Sequence, residues 1–133
     1  MILAIKTADS QAELFVVNIT TIGSDPIELM AEKKWEAGRD LAHDLLGEIE
    51  KILDGKWGSL TGLIVFTGPG SFTGLRIGIT TMNALANGLD IPIVGTDSDD
   101  WLKNGLSRLQ NAENDRIVTP NYGAPANITQ PKK

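Results

Sequence analysis

Residues 68–78 read Gly68-Pro69-Gly70-Ser71-Phe72-Thr73-Gly74-Leu75-Arg76-Ile77-Gly78, and they gather most of the groups in this chain that could do chemistry. They follow the apolar run Leu63-Ile64-Val65-Phe66 and open an amphipathic segment that ends near Leu89. A strand that turns through glycines into a helix can hold an anion on the backbone N–H groups at the helix start. Ser71 or Thr73 would cap such a helix, and Arg76, one turn in, could reach the same ligand. The same glycines serve equally for close packing. Gly74 and Gly78 are four apart and share one helix face, where a second helix or the sheet can approach. Thr80, Thr81, Ala84, Ala86 and Gly88 add further small residues. The pattern alone favours packing over phosphate binding.

Several specific chemistries are excluded by spacing. A Walker A loop ends in glycine, lysine and serine or threonine, whereas Gly74 is followed by Leu75 and Arg76. The dinucleotide fingerprint fails because Thr73 stands at its last glycine. A nucleophile elbow on Ser71 needs glycines where Pro69 and Thr73 stand. Metal-assisted phosphoryl transfer needs acids at the ends of the first and fourth strands. Those strands end in Ile5-Lys6-Thr7 and Phe66-Thr67-Gly68, and Asp9 reads as a turn residue. Asp97, Asp99 and Asp100 read as a helix start rather than a metal site. There are no cysteines and one histidine, His43, so thiolate and zinc sites are not expected.

Composition sets the frame. The chain has 133 residues, enough for one domain, and is 41% hydrophobic. A formal charge of −5 repels nucleic-acid backbones, so contact with RNA is expected only indirectly. No apolar run approaches the roughly 20 residues of a membrane span. Met1-Ile2-Leu3-Ala4-Ile5-Lys6 reads as a strand rather than a signal peptide, and a cytoplasmic location is expected.

The elements that position the glycine turn follow from periodicity. Strands are expected over 2–8, 13–19 and 27–35, as an antiparallel meander with turns at Asp9-Ser10-Gln11 and Gly23-Ser24-Asp25-Pro26. The period then becomes helical. Leu41, Leu45, Ile49 and Ile52 form one stripe, with Ala42, Leu46 and Leu53 beside it, in a helix over about 39–53. Its apolar arc is wide, which fits either burial on two sides or one broad core face. A buried strand over 62–67, a helix over 72–89, a short strand over 91–95 and a last helix to about 109 follow. Asp97-Ser98-Asp99-Asp100 is the expected cap of that last helix. Residues 111–133 lack periodicity and are expected as an extended or partly disordered tail. Strand–strand–strand–helix–strand–helix–strand–helix is the ribonuclease-H-like topology, an α/β lobe with a mixed five-stranded sheet flanked by helices. Actin, Hsp70 and the sugar kinases build each lobe on it.

At this point the residues resemble a known family. The stretch Gly68 to Gly78 is similar to the signature of the TsaB (YeaZ) proteins. Ile2-Leu3-Ala4-Ile5 resembles the family's opening strand. His43, within Leu41-Ala42-His43-Asp44-Leu45-Leu46, resembles the histidine of its first helix. Ile91-Pro92-Ile93-Val94-Gly95 resembles the strand after the signature helix. The resemblance spans about residues 1–110, an N-terminal lobe. It implies a role in making threonylcarbamoyladenosine at position 37 of tRNA. The implied role is a non-catalytic accessory subunit that activates a TsaD-like transferase, with a TsaE-like ATPase in the larger complex and homodimers through a similar surface.

Three departures accompany it. Lys6 stands where the family usually carries an aspartate. No counterpart of the family's second lobe is expected after the last helix. The tail from Pro120 resembles the family's proline-tyrosine C-terminal segment without its leucine-arginine, which suggests a minimal form with an internal deletion. With one lobe, no inter-lobe cleft and no self-contained active site is expected. The expected partner-binding residues are Leu45, Leu46, Ile49 and Leu53 with Gly74, Leu75, Gly78, Ile79, Met82 and Ala86, in a four-helix contact. Gly70, Ser71, Thr73 and Arg76 are the candidate contacts for ATP or ADP shared with the partner; no intrinsic cofactor or metal is expected. The alternatives are a nucleotide-binding phosphotransferase or peptidase of the same superfamily, and a self-associating structural module.

Overall fold

A computed structural model of the chain describes residues 1–18 and 27–121. Three strands come first: β1 (Ile2–Lys6), β2 (Gln11–Val17) and β3 (Leu29–Glu36). A short 3-10 turn at Gly38–Asp40 leads into α1 (Leu41–Leu53). Then come β4 (Gly62–Phe66), α2 (Phe72–Leu89), β5 (Ile93–Thr96) and α3 (Trp101–Gln110). The sheet order is β3-β2-β1-β4-β5. β1 and β2 pair antiparallel with Ala4 opposite Phe15, and β2 pairs antiparallel with β3. β4 lies parallel to β1 with Ala4 opposite Ile64, and β5 lies parallel to β4. This is the expected ribonuclease-H-like lobe.

Side-chain alternation assigns the layers. Gly62, Ile64 and Phe66 of β4 face α3: Ile64 meets Gly105, and the Phe66 ring stands 5.8 Å from Trp101. Phe15, opposite Ala4, packs on the same indole at 5.9 Å. The other face, with Leu3, Ile5, Leu63 and Val65, is covered by α1 and α2, which also touch each other. Every residue of β4 is buried, as a central parallel strand requires.

The element boundaries have local causes. Both longer helices stop on an aspartate in the left-handed region, Asp54 (φ 51°) and Asp90 (φ 54°). Their N–H groups return to the last helical carbonyls, in the manner of a helix C-cap. The expected strand 91–95 begins at Ile93 instead. Ile91 N–H is bonded to Ala86 C=O and finishes α2, while Pro92 has no N–H to give. The second strand starts two residues earlier than its apolar run, because Asp9 Oδ1 accepts Gln11 N–H at 2.9 Å and closes the hairpin there. The third begins at Leu29 rather than 27. The first helix starts at Leu41, with Arg39 in the 3-10 turn. The aspartates before α3 precede it as expected, but Asp100 at the N-cap makes no side-chain capping bond. The Gly23–Pro26 turn and residues 122–133 of the tail lie outside the described residues.

Among the described residues no helix is long and apolar enough to cross a membrane.

Candidate functional site

The glycine turn is folded onto the end of β1. Ser71 is the N-cap of α2, and its Oγ accepts Gly74 N–H at 3.4 Å. Ser71 N–H donates to Ala8 C=O at 2.6 Å. Thr7 Oγ1 donates to Gly74 C=O at 2.7 Å. A Cβ at Gly70 would stand 2.6 Å from Ala8 Cβ, and at Gly74 or Gly78 it would overlap the Thr7 carbonyl or Thr7 Oγ1. The sheet therefore uses these glycines to bring α2 against Thr7 and Ala8. Two N–H groups that an anion would need, on Ser71 and Gly74, are bonded within the chain. Gly68, at φ +127°, is needed because the Asn121 carbonyl fills the space a side chain would take.

The residues expected to bind a partner divide sharply. Leu45, Ile49 and Leu53 of α1, and Leu75, Gly78, Ile79, Met82 and Ala86 of α2, are all buried. Their side chains already belong to this chain's core and offer no surface to another protein. Gly74 and Gly78 pack against Thr7. Of the expected set only Leu46 is open, at 54% exposure. The wide arc of α1 is thus part core, part exposed shoulder: Ala42 and Leu46 are exposed, and Ile52 is half-buried.

A groove of about 360 Å³ runs along that shoulder, lined by Ala42, Phe72, Thr73, Arg76, Ile77, Thr80 and Thr81. Phe72 is 55% exposed, and the Arg76 guanidinium sits 5.3 Å from its ring centre. Ser71 and Gly70, assigned with Thr73 and Arg76 to a shared nucleotide, are exposed at the mouth of the turn. Sequence reasoning did not single out Phe72, which is exposed, or Ile77, which is half-buried at the groove. Thr73, Ile77 and Thr81 repeat at four-residue spacing on the side away from Leu75 and Ile79, and that offset is the available signal.

The carboxyl ends of β1 and β4 carry no acid. Lys6 Nζ instead lies 4.6 Å above the Phe66 ring. Among the described residues no three His, Cys, Asp or Glu side chains form a metal-sized cluster. His43 is exposed on α1, with Nδ1 2.9 Å from Asp44 Oδ1. That bond, with the Asp44 charge, raises its pKa above the ordinary histidine value.

The other unanticipated feature follows α3. Residues 113–121 form a strap across the far edge of the sheet. Arg108 bonds Glu113 at 2.8 Å, both carboxylate oxygens of Asp115, and Gly95 C=O at 2.9 Å. Asn83 clasps Val118 in both directions, donating to its C=O at 3.0 Å and accepting its N–H at 2.9 Å. Asn121 N–H reaches Thr67 C=O at 2.7 Å. Arg108 holds the Asp115 carboxyl below its ordinary range, and Gly95 N–H adds to the effect.

Comparison with known proteins agrees with this architecture. Residues 36–113 match the family model described as TsaD: tRNA N6-adenosine threonylcarbamoyltransferase. The chain is 32% identical over 125 residues to the tRNA threonylcarbamoyladenosine biosynthesis protein TsaB of Escherichia coli K12, covering 87% of this chain and 51% of that protein. It is 31% identical over 97 residues to TsaB of Bacillus subtilis 168, covering 73% and 41%. YeaZ from Pseudomonas aeruginosa superposes with a TM-score of 0.63 at 22% identity, covering 83% of this chain and 49% of that one. The chain spans about half the length of the curated relatives it matches.

Proposed function

The chain belongs to the TsaB (YeaZ) family, and from that membership we propose that it is a non-catalytic subunit in threonylcarbamoyladenosine formation on tRNA, docking on a TsaD-like transferase through the exposed shoulder of α1 and α2. The observation that carries the proposal is the shoulder itself. Ala42, Phe72 and Ile77 line one groove between two adjacent helices that have already satisfied their core faces, and Leu46 is exposed one turn beyond Ala42 on α1. Two such helices meeting a like pair give a four-helix contact, and a second copy can compete for the same surface. Lys6 over Phe66, with no acid at the ends of β1 and β4, supports a structural use of the position where phosphoryl-transfer chemistry would place a metal ligand.

The glycine turn then has an indirect role. It seats α2 on Thr7 and Ala8 and so fixes where Phe72, Arg76 and Ile77 emerge. A nucleotide shared at the contact would meet Arg76 and Thr73, the polar groups of the groove nearest the helix start. A TsaE-like ATPase would join the assembled pair, and tRNA would be met through the transferase.

The test is co-purification with the same organism's TsaD-like protein, followed by a tRNA modification assay with and without this chain. Leu46→Lys combined with Ile77→Lys should fold, fail to co-purify and fail to support modification. A folded double variant that still binds would sink the assignment. ATP turnover by the purified chain alone, lost on Arg76→Ala, would favour the phosphotransferase reading instead.

A further inference from the structure

A strand at the edge of a sheet presents N–H and C=O groups that another strand can pair with. The edges here are β3 and β5. β3 carries Glu32, Lys33, Lys34 and Glu36, all exposed, and charges of this kind discourage strand addition. β5, Ile93-Val94-Gly95-Thr96, carries no charge at all.

The outward groups of β5 are nevertheless all used. Val94 and Thr96 point their backbone groups at β4, as Thr67 N–H on Thr96 C=O shows, so Ile93 and Gly95 point away. Ile93 N–H donates to Asn114 Oδ1 at 3.1 Å, and Ile93 C=O accepts Asp115 N–H at 2.8 Å. Gly95 N–H donates to Asp115 Oδ2 at 2.8 Å, and Gly95 C=O accepts from Arg108 at 2.9 Å. Three of the four partners are supplied by side chains. The strap thus does what a sixth strand would do without being one, and Val118 seals it by filling the space beside Gly95.

We propose that the strap is a built-in cap on the β5 edge, which stops a second copy of this chain from adding there and leaves the α1–α2 shoulder as the surface for association. Asp115 is the central group, because it caps Ile93 and Gly95 and holds Arg108 in place. A copy with its cap lifted would offer four uncharged edge residues to the same strand of another copy, in an isologous pairing.

The experiment uses the full chain in a Leu46→Lys background, so that association through the helical shoulder is suppressed. Asp115→Ala removes the acceptor for Gly95 N–H; Asp115→Asn keeps an acceptor oxygen there. Amide exchange at Gly95 and sedimentation velocity over a hundredfold range of concentration are the readouts. Asp115→Ala should exchange at Gly95 at least about tenfold faster, and its mass should rise toward a dimer with concentration. Asp115→Asn should stay monomeric. The proposal is overturned if Gly95 exchanges faster while the mass stays constant, if exchange at Gly95 does not change, or if the Leu46→Lys chain with its strap intact already dimerises through β5. Should Asp115→Ala not fold, Asn83→Ala frees the Val118 end and is read in the same way. None of these outcomes bears on transferase binding, which is measured on the shoulder.

Discussion

The two flanks of this sheet are finished in opposite ways. On the strap side every outward group of β5 has a partner within the chain; Arg108, Asp115 and Asn83 all bond backbone, and Arg108 and Asp115 also bond each other. On the α1–α2 side the core is complete, yet Leu46 and Phe72 remain more than half exposed, with Arg76 beside Phe72. Closing the first flank takes directional polar contacts. Opening the second takes only apolar side chains on the outer side of helices that are already anchored. A protein that must meet a partner on one surface and no other would be arranged in this way. The comparison also corrects the simplest reading of the glycine-rich signature, in which Gly74 and Gly78 pack against Thr7 while Phe72, Thr73 and Arg76 are exposed.

The largest effect should come from the inward side. Gly78→Glu places its Cβ on Thr7 Oγ1 and drives a carboxylate between α2 and β1. Overpacking of this kind costs about 3 kcal/mol, and burial of an unpaired charge adds to it. Loss of cooperative unfolding in urea is the expected outcome. A Gly78→Glu chain that folds and merely stops binding would put this glycine back on the interface.

The next effect separates binding from folding. Leu46→Lys replaces an exposed side chain and should change stability by no more than about 0.5 kcal/mol in urea melts, whereas Ile77 is half-buried against the core and Ile77→Lys should cost about 1 kcal/mol. Each should weaken transferase binding by tenfold or more, since removing a central apolar contact costs about 2 kcal/mol. Leu45→Ala is the control from the same helix: Leu45 is 1% exposed, so it should lose about 3 kcal/mol of stability and change binding only through folding.

How far these assignments could be read beforehand differs between the flanks. Hydropathy period placed α2 at its observed ends and gave the meander and the two crossover strands, because each depends on local pattern. It placed Leu45, Ile49, Leu75 and Met82 on apolar stripes but could not say which stripe the sheet would cover. The deciding contact, Gly78 against Thr7, joins residues seventy-one positions apart. The strap left no trace in the pattern. Asn114 and Asp115 have the composition of a surface loop, Asn83 is one polar residue within α2, and only the fold brings the first two to β5 and the third to Val118. The wide apolar arc of α1 was the one feature that hinted at an open shoulder, through Ala42 and Leu46.

A smaller effect tests the closed flank. Arg108→Ala removes bonds to Glu113, Asp115 and Gly95, several of them partly exposed, and should cost about 1–2 kcal/mol. The acid limb gives an independent reading. The Asp115 carboxyl is held below its ordinary value in the folded chain, chiefly by Arg108. Its contribution is therefore full above the unfolded carboxylate pKa and is lost as pH falls through the lowered folded value. Melting temperatures of the parent chain from pH 6 down to pH 2 should fall more steeply than those of Asp115→Asn. Parallel curves would mean that Arg108 and Asp115 contribute nothing as a charged pair.

The smallest effect is the one that probes how a partner would come to the open flank. Gly47 lies in the middle of α1, exposed, one residue after Leu46, and a Cβ there would meet nothing within 4 Å. Glycine in a helix interior is less favourable than alanine by about 0.5–1 kcal/mol, so within this chain Gly47 is a cost without an intramolecular return. Gly47→Ala should therefore raise the urea midpoint by that amount. If a transferase helix crosses α1 closely at this point, the same methyl should also weaken co-purification, and stability and binding would move in opposite directions. If binding is unchanged, the partner rests on Leu46 and the α2 groove, and the contact lies nearer Ile77 than the middle of α1. The sign of the stability change and the response of binding thus locate the crossing point along the shoulder with a single methyl group.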